Sequence, residues 1–192
     1  MKHIALIGID GSGKSSLAGQ LQHYLTKTCN YKVLIATSNK MNSTVLKAIE
    51  NKTGRKVSDE LRLTAFAFDL AIKYQQVADM QELDFIIWDR YYYCLFAYFT
   101  ALNTDLSSVR EITTIMPVPD YTFFLEIDVE TALDRIEQRG EPQKKEESYD
   151  YLKAVQREYI QIMKDSNAVT LNTGCPRDEL LKVALKHILQ VH

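Results

Sequence analysis

The sequence predicts a three-layer α/β fold, a parallel sheet covered by helices on both faces. Short apolar, β-branched runs alternate with longer segments of helical period. The short runs are also apolar almost without interruption, as strands buried on both faces are, whereas a strand with one wet face alternates. Strand–helix alternation of this kind implies right-handed βαβ units.

The first strand is expected at Ile4–Ile9, and Leu17, Leu21, Tyr24 and Thr28 follow it at helical spacing. A second strand is expected at Lys32–Thr37. Ser38–Ser58, polar through Asn39, Lys40, Asn42 and Ser43, reads as irregular surface. Leu63, Phe66, Leu70, Tyr74 and Val77 then recur at helical spacing before a third strand, Phe85–Trp88. The aromatic run Tyr91–Phe99 is so apolar that a helix there must be buried on most faces, in the core or against a partner. A fourth strand is expected at Tyr121–Ile127, a helix through Ala132, Leu133 and Ile136, and a fifth strand at Ala168–Leu171. Gly140–Ser148 is charged and has no apolar period. It and Ser38–Ser58 are expected on the surface, where active-site loops and lids lie.

At 192 residues the chain reads as one domain, 1–192. Its 46% hydrophobic and 25% charged content is that of a globular protein with a sizeable core. A net charge of -2 gives no basic field for nucleic acid. The three cysteines and four histidines are scattered, which argues against a disulfide frame or a zinc cluster. Ile4–Ile7 is too short for a signal-peptide core, and no stretch approaches the roughly 20 apolar residues that cross a membrane. A cytoplasmic protein with no membrane partner is expected.

Gly8-Ile9-Asp10-Gly11-Ser12-Gly13-Lys14-Ser15 matches the phosphate-loop (Walker A) pattern G-x-x-x-x-G-K-[ST], with a strand before it and a helix after it. The glycines let successive N–H groups turn inward as an anion nest, and the helix adds its positive dipole end. Lys14 is expected on the β- and γ-phosphates and Ser15 on Mg²⁺. In Phe85-Ile86-Ile87-Trp88-Asp89-Arg90-Tyr91 an apolar strand ends in an acid at the sheet's carboxyl edge, where ligands of open α/β sheets bind. Asp89 is a candidate to hold the Mg²⁺ shell or orient an acceptor oxygen, with a plain salt bridge as the alternative. Arg90 is a candidate phosphate clamp. A guanine-reading Asn-Lys-x-Asp is missing: Asn39-Lys40-Met41-Asn42 lacks the final acid and comes too early.

Ile9–Ser16, the Asp89-Arg90-Tyr91 triplet, Pro119-Asp120 leading into Tyr121–Ile127, and Thr131–Gly140 before a charged segment resemble thymidylate kinases over nearly the whole chain. The resemblance implies a P-loop NTPase fold with a five-stranded parallel sheet, and a lid at about 139–148. It implies transfer of the γ-phosphoryl of ATP to dTMP or a related nucleotide, with Mg²⁺, in a homodimer. It gives Gly8, Asp10, Gly11, Ser12, Gly13, Lys14, Ser15 and Ser16 to ATP and its phosphates. Asp10 also falls to the acceptor sugar, Arg90 to the acceptor phosphate, and Phe66, Tyr91 and Tyr98 to the acceptor side. Phe66 lies equally on an apolar helix stripe, where it can be core. Gly11 stands where one type of family member has an arginine, so the catalytic cation is expected from the lid, as Arg139 or Lys144.

The chain departs from the family on the acceptor side: Ser38-Asn39-Lys40-Met41 replaces an Arg-Glu-Pro-Gly stretch, Leu70 an arginine, Phe99 a glutamine and Ile7 a glutamate. A greasy, aromatic acceptor pocket is expected in consequence. Two other readings stay open, a kinase of this fold for a nucleoside or other small molecule, and a nucleotide-binding regulatory module.

Overall fold

The computed structural model describes residues 1–38, 41–140, 147–164 and 166–190. Five strands, β1 (Lys2–Ile7), β2 (Val33–Ala36), β3 (Phe85–Asp89), β4 (Tyr121–Glu126) and β5 (Val169–Asn172), form one sheet in the order β2-β3-β1-β4-β5. Every pairing is parallel. The eight α-helices among the described residues are α1 (Lys14–Lys27), α2 (Met41–Thr53), α3 (Asp59–Ala78), α4 (Tyr92–Thr100), α5 (Ser107–Thr114), α6 (Val129–Glu137), α7 (Tyr149–Lys164) and α8 (Arg177–Leu189).

Period-two alternation sends each strand's side chains to two different cores. Ile4 and Leu6 of β1, with Ile87, Phe123 and Leu125, pack under Leu17, Leu21 and Leu25 of α1 and Leu185 and Ile188 of α8. On the opposite face Ala5, Ile86 and Trp88 meet Leu70 and Val77 of α3, while Ile7 and Phe124 meet Leu152, Val155 and Tyr159 of α7. Each fully buried aliphatic side chain stabilises the fold by about 1.5–3 kcal/mol relative to exposure. The uninterrupted apolar runs follow from this two-sided burial.

β1 lies between β3 and β4; the connection leaving its carboxyl end runs to β2 on one side, and the connection leaving its neighbour β4 runs to β5 on the other. That divergence opens a crevice, and the phosphate loop starts there because β1 ends at Ile7. Residues 8 and 9, expected in the strand, already belong to the loop.

The larger difference lies in Ser38–Ser58. Among its described residues, Met41–Thr53 form α2. The Asp69 carboxylate, fully buried on α3, accepts from Asn42 N (2.9 Å), Asn42 Nδ2 (3.0 Å) and Ser43 N (3.1 Å). It satisfies amides of the first turn that a local cap would otherwise take. No helix among the described residues is long and apolar enough to cross a membrane.

Candidate functional site

The phosphate loop curls between β1 and the N-terminus of α1 and is wedged against α6. A Cβ on Gly11 would lie 2.3 Å from the Ala132 carbonyl oxygen, and its φ of +82° is one that L side chains rarely adopt. That close approach explains the missing arginine: no side chain fits at this position.

Lys14, the first residue of α1, is buried, and its ammonium crosses the loop to donate to Ile9 O (2.7 Å), Gly8 O (3.0 Å) and Ser12 Oγ (3.3 Å). Burial pushes its pKa below the ordinary lysine value; Cys94 and Asp89 oppose that, and the charge of Arg139 adds to it. Arg139 is exposed, just past α6, in a short turn ending at Gly140. Lys144 lies outside the described residues.

Beside the loop, Ser15 Oγ donates to Asp89 Oδ2 at 2.5 Å, joining the first turn of α1 to the last residue of β3. A hydroxyl and a carboxylate side by side at a sheet edge are hard oxygen donors that suit Mg²⁺, which keeps several waters and phosphate oxygens of its own. Among the described residues there is no cluster of three or more His, Cys, Asp or Glu that would make a closed protein cage. The donor set fits an ion shared with a nucleotide.

The next residue turns the other way. Arg90 has φ 77°, its N–H is pinned to Leu6 O at 3.2 Å, and its guanidinium pairs with the Asp10 carboxylate. Both side chains remain partly open to solvent. The Tyr98 hydroxyl donates to Asp10 Oδ2 (3.2 Å) and accepts from Asp10 N (3.0 Å), and the guanidinium carbon lies 5.5 Å from the Tyr98 ring centre. Lys14, Ser15, Asp89, Arg90, Asp10 and Tyr98 thus converge where β1 and β3 end. Gly8, Gly11, Ser12 and Gly13 form the loop between them, and Ser16 is exposed on α1.

Two expected acceptor-side residues sit elsewhere. The Tyr91 side chain is 1% exposed, packs tilted on Trp88 at 5.0 Å, and donates its hydroxyl to Pro117 O at 3.0 Å. Its ring is core, because Tyr91 precedes α4 and turns back under the sheet. Leu70 is likewise buried, in the cluster with Ala5, Trp88 and Tyr91, so it does not stand in for a base-touching side chain. Phe66 is not core: it is 37% exposed on α3 and lies 6.2 Å from the ring of Phe99.

Tyr151 and Asp69 were missed in the sequence. Tyr151 donates its hydroxyl to Tyr98 O at 2.8 Å. Its signal was readable as the stripe Tyr151, Val155, Tyr159 at helical spacing, while the Asp69 contacts join residues distant in sequence.

The thymidylate kinase family model matches residues 7–182. The chain is similar to the probable thymidylate kinase 1 of Saccharolobus solfataricus, 31% identical over 97% of this chain and 96% of that protein. It is similar to the probable thymidylate kinase of Archaeoglobus fulgidus, 31% identical over 96% and 93%. The counterpart from Sulfurisphaera tokodaii is 28% identical over 97% and 95%.

Proposed function

Since the chain belongs to the thymidylate kinase family, we propose that it transfers the γ-phosphoryl group of Mg·ATP to dTMP in the crevice between the ends of β1 and β3. The observation that carries this reading is the placing of two contacts on consecutive residues. Asp89 meets Ser15 on the donor side, and Arg90 meets Asp10 on the other.

The phosphate loop and Lys14 hold the β- and γ-phosphates of ATP. Ser15 and Asp89 hold Mg²⁺, which when bound neutralises charge on those phosphates. Arg90 grips the phosphate of dTMP; a guanidinium has five donors and can keep Asp10 while taking an anion. Asp10 orients the acceptor sugar, Phe66 stacks on the base, and Tyr98 closes the acceptor side. An oxygen of the dTMP phosphate attacks the γ-phosphorus in line, the bond to the β,γ-bridging oxygen breaks, and ADP leaves. Arg139, just past α6, spreads its positive charge over the transferring group.

The whole chain acts as one kinase domain, in the cytoplasm, where its free cysteines Cys29, Cys94 and Cys175 stay reduced. It works as a homodimer, a reading supported by α2, which buries none of its own side chains and leaves Met41, Val45 and Ile49 exposed one turn apart.

The test is Arg90→Ala in steady-state kinetics with Mg·ATP and dTMP. The KM for dTMP is expected to rise by ten-fold or more, the scale of a lost charged hydrogen bond, with the KM for ATP unchanged. An unchanged KM for dTMP would remove Arg90 from the acceptor site.

A further inference from the structure

Tyr98 touches both members of the acceptor-side pair. It meets Asp10 at two points, the backbone N–H (3.0 Å) and Oδ2 (3.2 Å), which together fix the direction of that carboxylate. Its ring faces the Arg90 guanidinium at 5.5 Å. Burial pushes the Tyr98 phenol above its ordinary pKa, with Arg90 opposing, so it stays protonated as a donor.

Tyr98 is itself held from behind. The Tyr151 hydroxyl on α7 donates to Tyr98 O at 2.8 Å. That carbonyl lies in the last turn of α4, where the Leu102 N–H goes instead to Phe99 O at 3.1 Å. The rings of Tyr151 and Tyr159 meet Tyr98 edge-on at 5.9 Å and 6.3 Å, and Tyr159 leans on Phe124 of β4 at 5.6 Å. A continuous line of contacts therefore runs from β4 through α7 and α4 to Asp10 in the phosphate loop.

We infer that Tyr151 is a positioning residue for acceptance of the phosphoryl group. Through the Tyr98 carbonyl and ring it holds the last turn of α4 against the phosphate loop, and so sets where Asp10 and Arg90 meet the acceptor. The inference rests on the reading of Asp10 and Arg90 as acceptor-side residues. Sites of this kind need their groups held to within about half an ångström, and a small displacement costs rate without any loss of direct contact.

Tyr151→Phe removes the hydroxyl and keeps the ring. With the full chain, Mg·ATP and dTMP, kcat/KM for dTMP is expected to fall about three- to ten-fold, the value of one hydrogen bond, while the KM for ATP stays constant. Tyr98→Phe should cause a fall at least as large. Adding Tyr151→Phe to Tyr98→Phe should cost less than Tyr151→Phe costs alone, because the hydroxyl route to Asp10 is already cut while the ring against Arg90 remains. Wild-type values for Tyr151→Phe would overturn the inference, as would full additivity in the double variant. So would a variant whose ATP and dTMP parameters worsen together with its thermal stability, which is the signature of a plain strut. The wild-type chain decides the premise separately: no transfer to dTMP by it would sink the proposed function before any variant is compared.

Discussion

Arg90 occupies a left-handed backbone conformation, φ 77°, that costs an L residue roughly 1–2 kcal/mol and is free to glycine. Strain of this sort persists where neighbours over-determine it, here the bond to Leu6 O and the pair with Asp10. Two variants that both lack the guanidinium separate backbone strain from charge. Arg90→Gly is expected to be more stable than Arg90→Ala by about 1 kcal/mol in urea unfolding, while both lose affinity for dTMP alike. Equal stabilities would mean the conformation carries no strain. A second residue-scale prediction concerns His3, which is 6% exposed and accepts at Nδ1 from the Trp88 indole N–H at 3.1 Å. Burial pushes its pKa below the usual histidine value, with Asp120 opposing and the N-terminal amine adding to the fall. A lowered folded pKa means that the unfolded chain takes up the proton first, so stability is full above about pH 6.5 and is lost as pH falls below it. The melting temperature should fall between pH 7 and pH 5, and His3→Asn, which keeps an acceptor but does not titrate, should flatten part of that slope. A slope unchanged in His3→Asn would assign the effect to other groups.

At the scale of elements, the five strands were legible to within about two residues because two-sided burial leaves an unbroken apolar run. Their ends were less so: β1 stops at Ile7 because the loop needs Gly8 at a φ of +144°, with the Leu125 carbonyl oxygen 2.6 Å from where its Cβ would sit. α2 was read as irregular because the group that starts it, Asp69, lies 27 residues from Asn42. A cap supplied by another helix leaves no local mark in sequence. Asp69→Ala is therefore expected to cost about 1–3 kcal/mol, leaving first-turn donors of α2 without their buried acceptor. Hydrogen exchange should quicken along Met41–Thr53 and stay unchanged in β1 and β3. Uniform loss of protection, or none, would contradict a cap that acts on α2 alone.

Across the whole molecule, the meeting of the phosphate loop with Asp89 was legible in the sequence, and the placing of the side chains around Arg90 was less so. The phosphate loop and the strand-end Asp89-Arg90 are local motifs, and their chemistry dictates their spacing. Tyr91 was expected on the acceptor side because its sequence neighbours were, yet tertiary packing turns its ring under Trp88. The same packing took Leu70 into the core and left Phe66 at the surface. The proposed homodimer would cover the apolar face of α2, and Val45→Glu, placing a charge in that face, should then convert a species of twice the chain mass to a monomer in light scattering. A wild-type chain already monomeric would remove the dimer and leave the site untouched. The central claim is the acceptor, and product identification tests it most directly. Incubating the wild-type chain with Mg·ATP and dTMP, with no-acceptor and thymidine controls, should yield dTDP and ADP in equal amounts. ADP with thymidine alone, or none with either acceptor, would contradict the account.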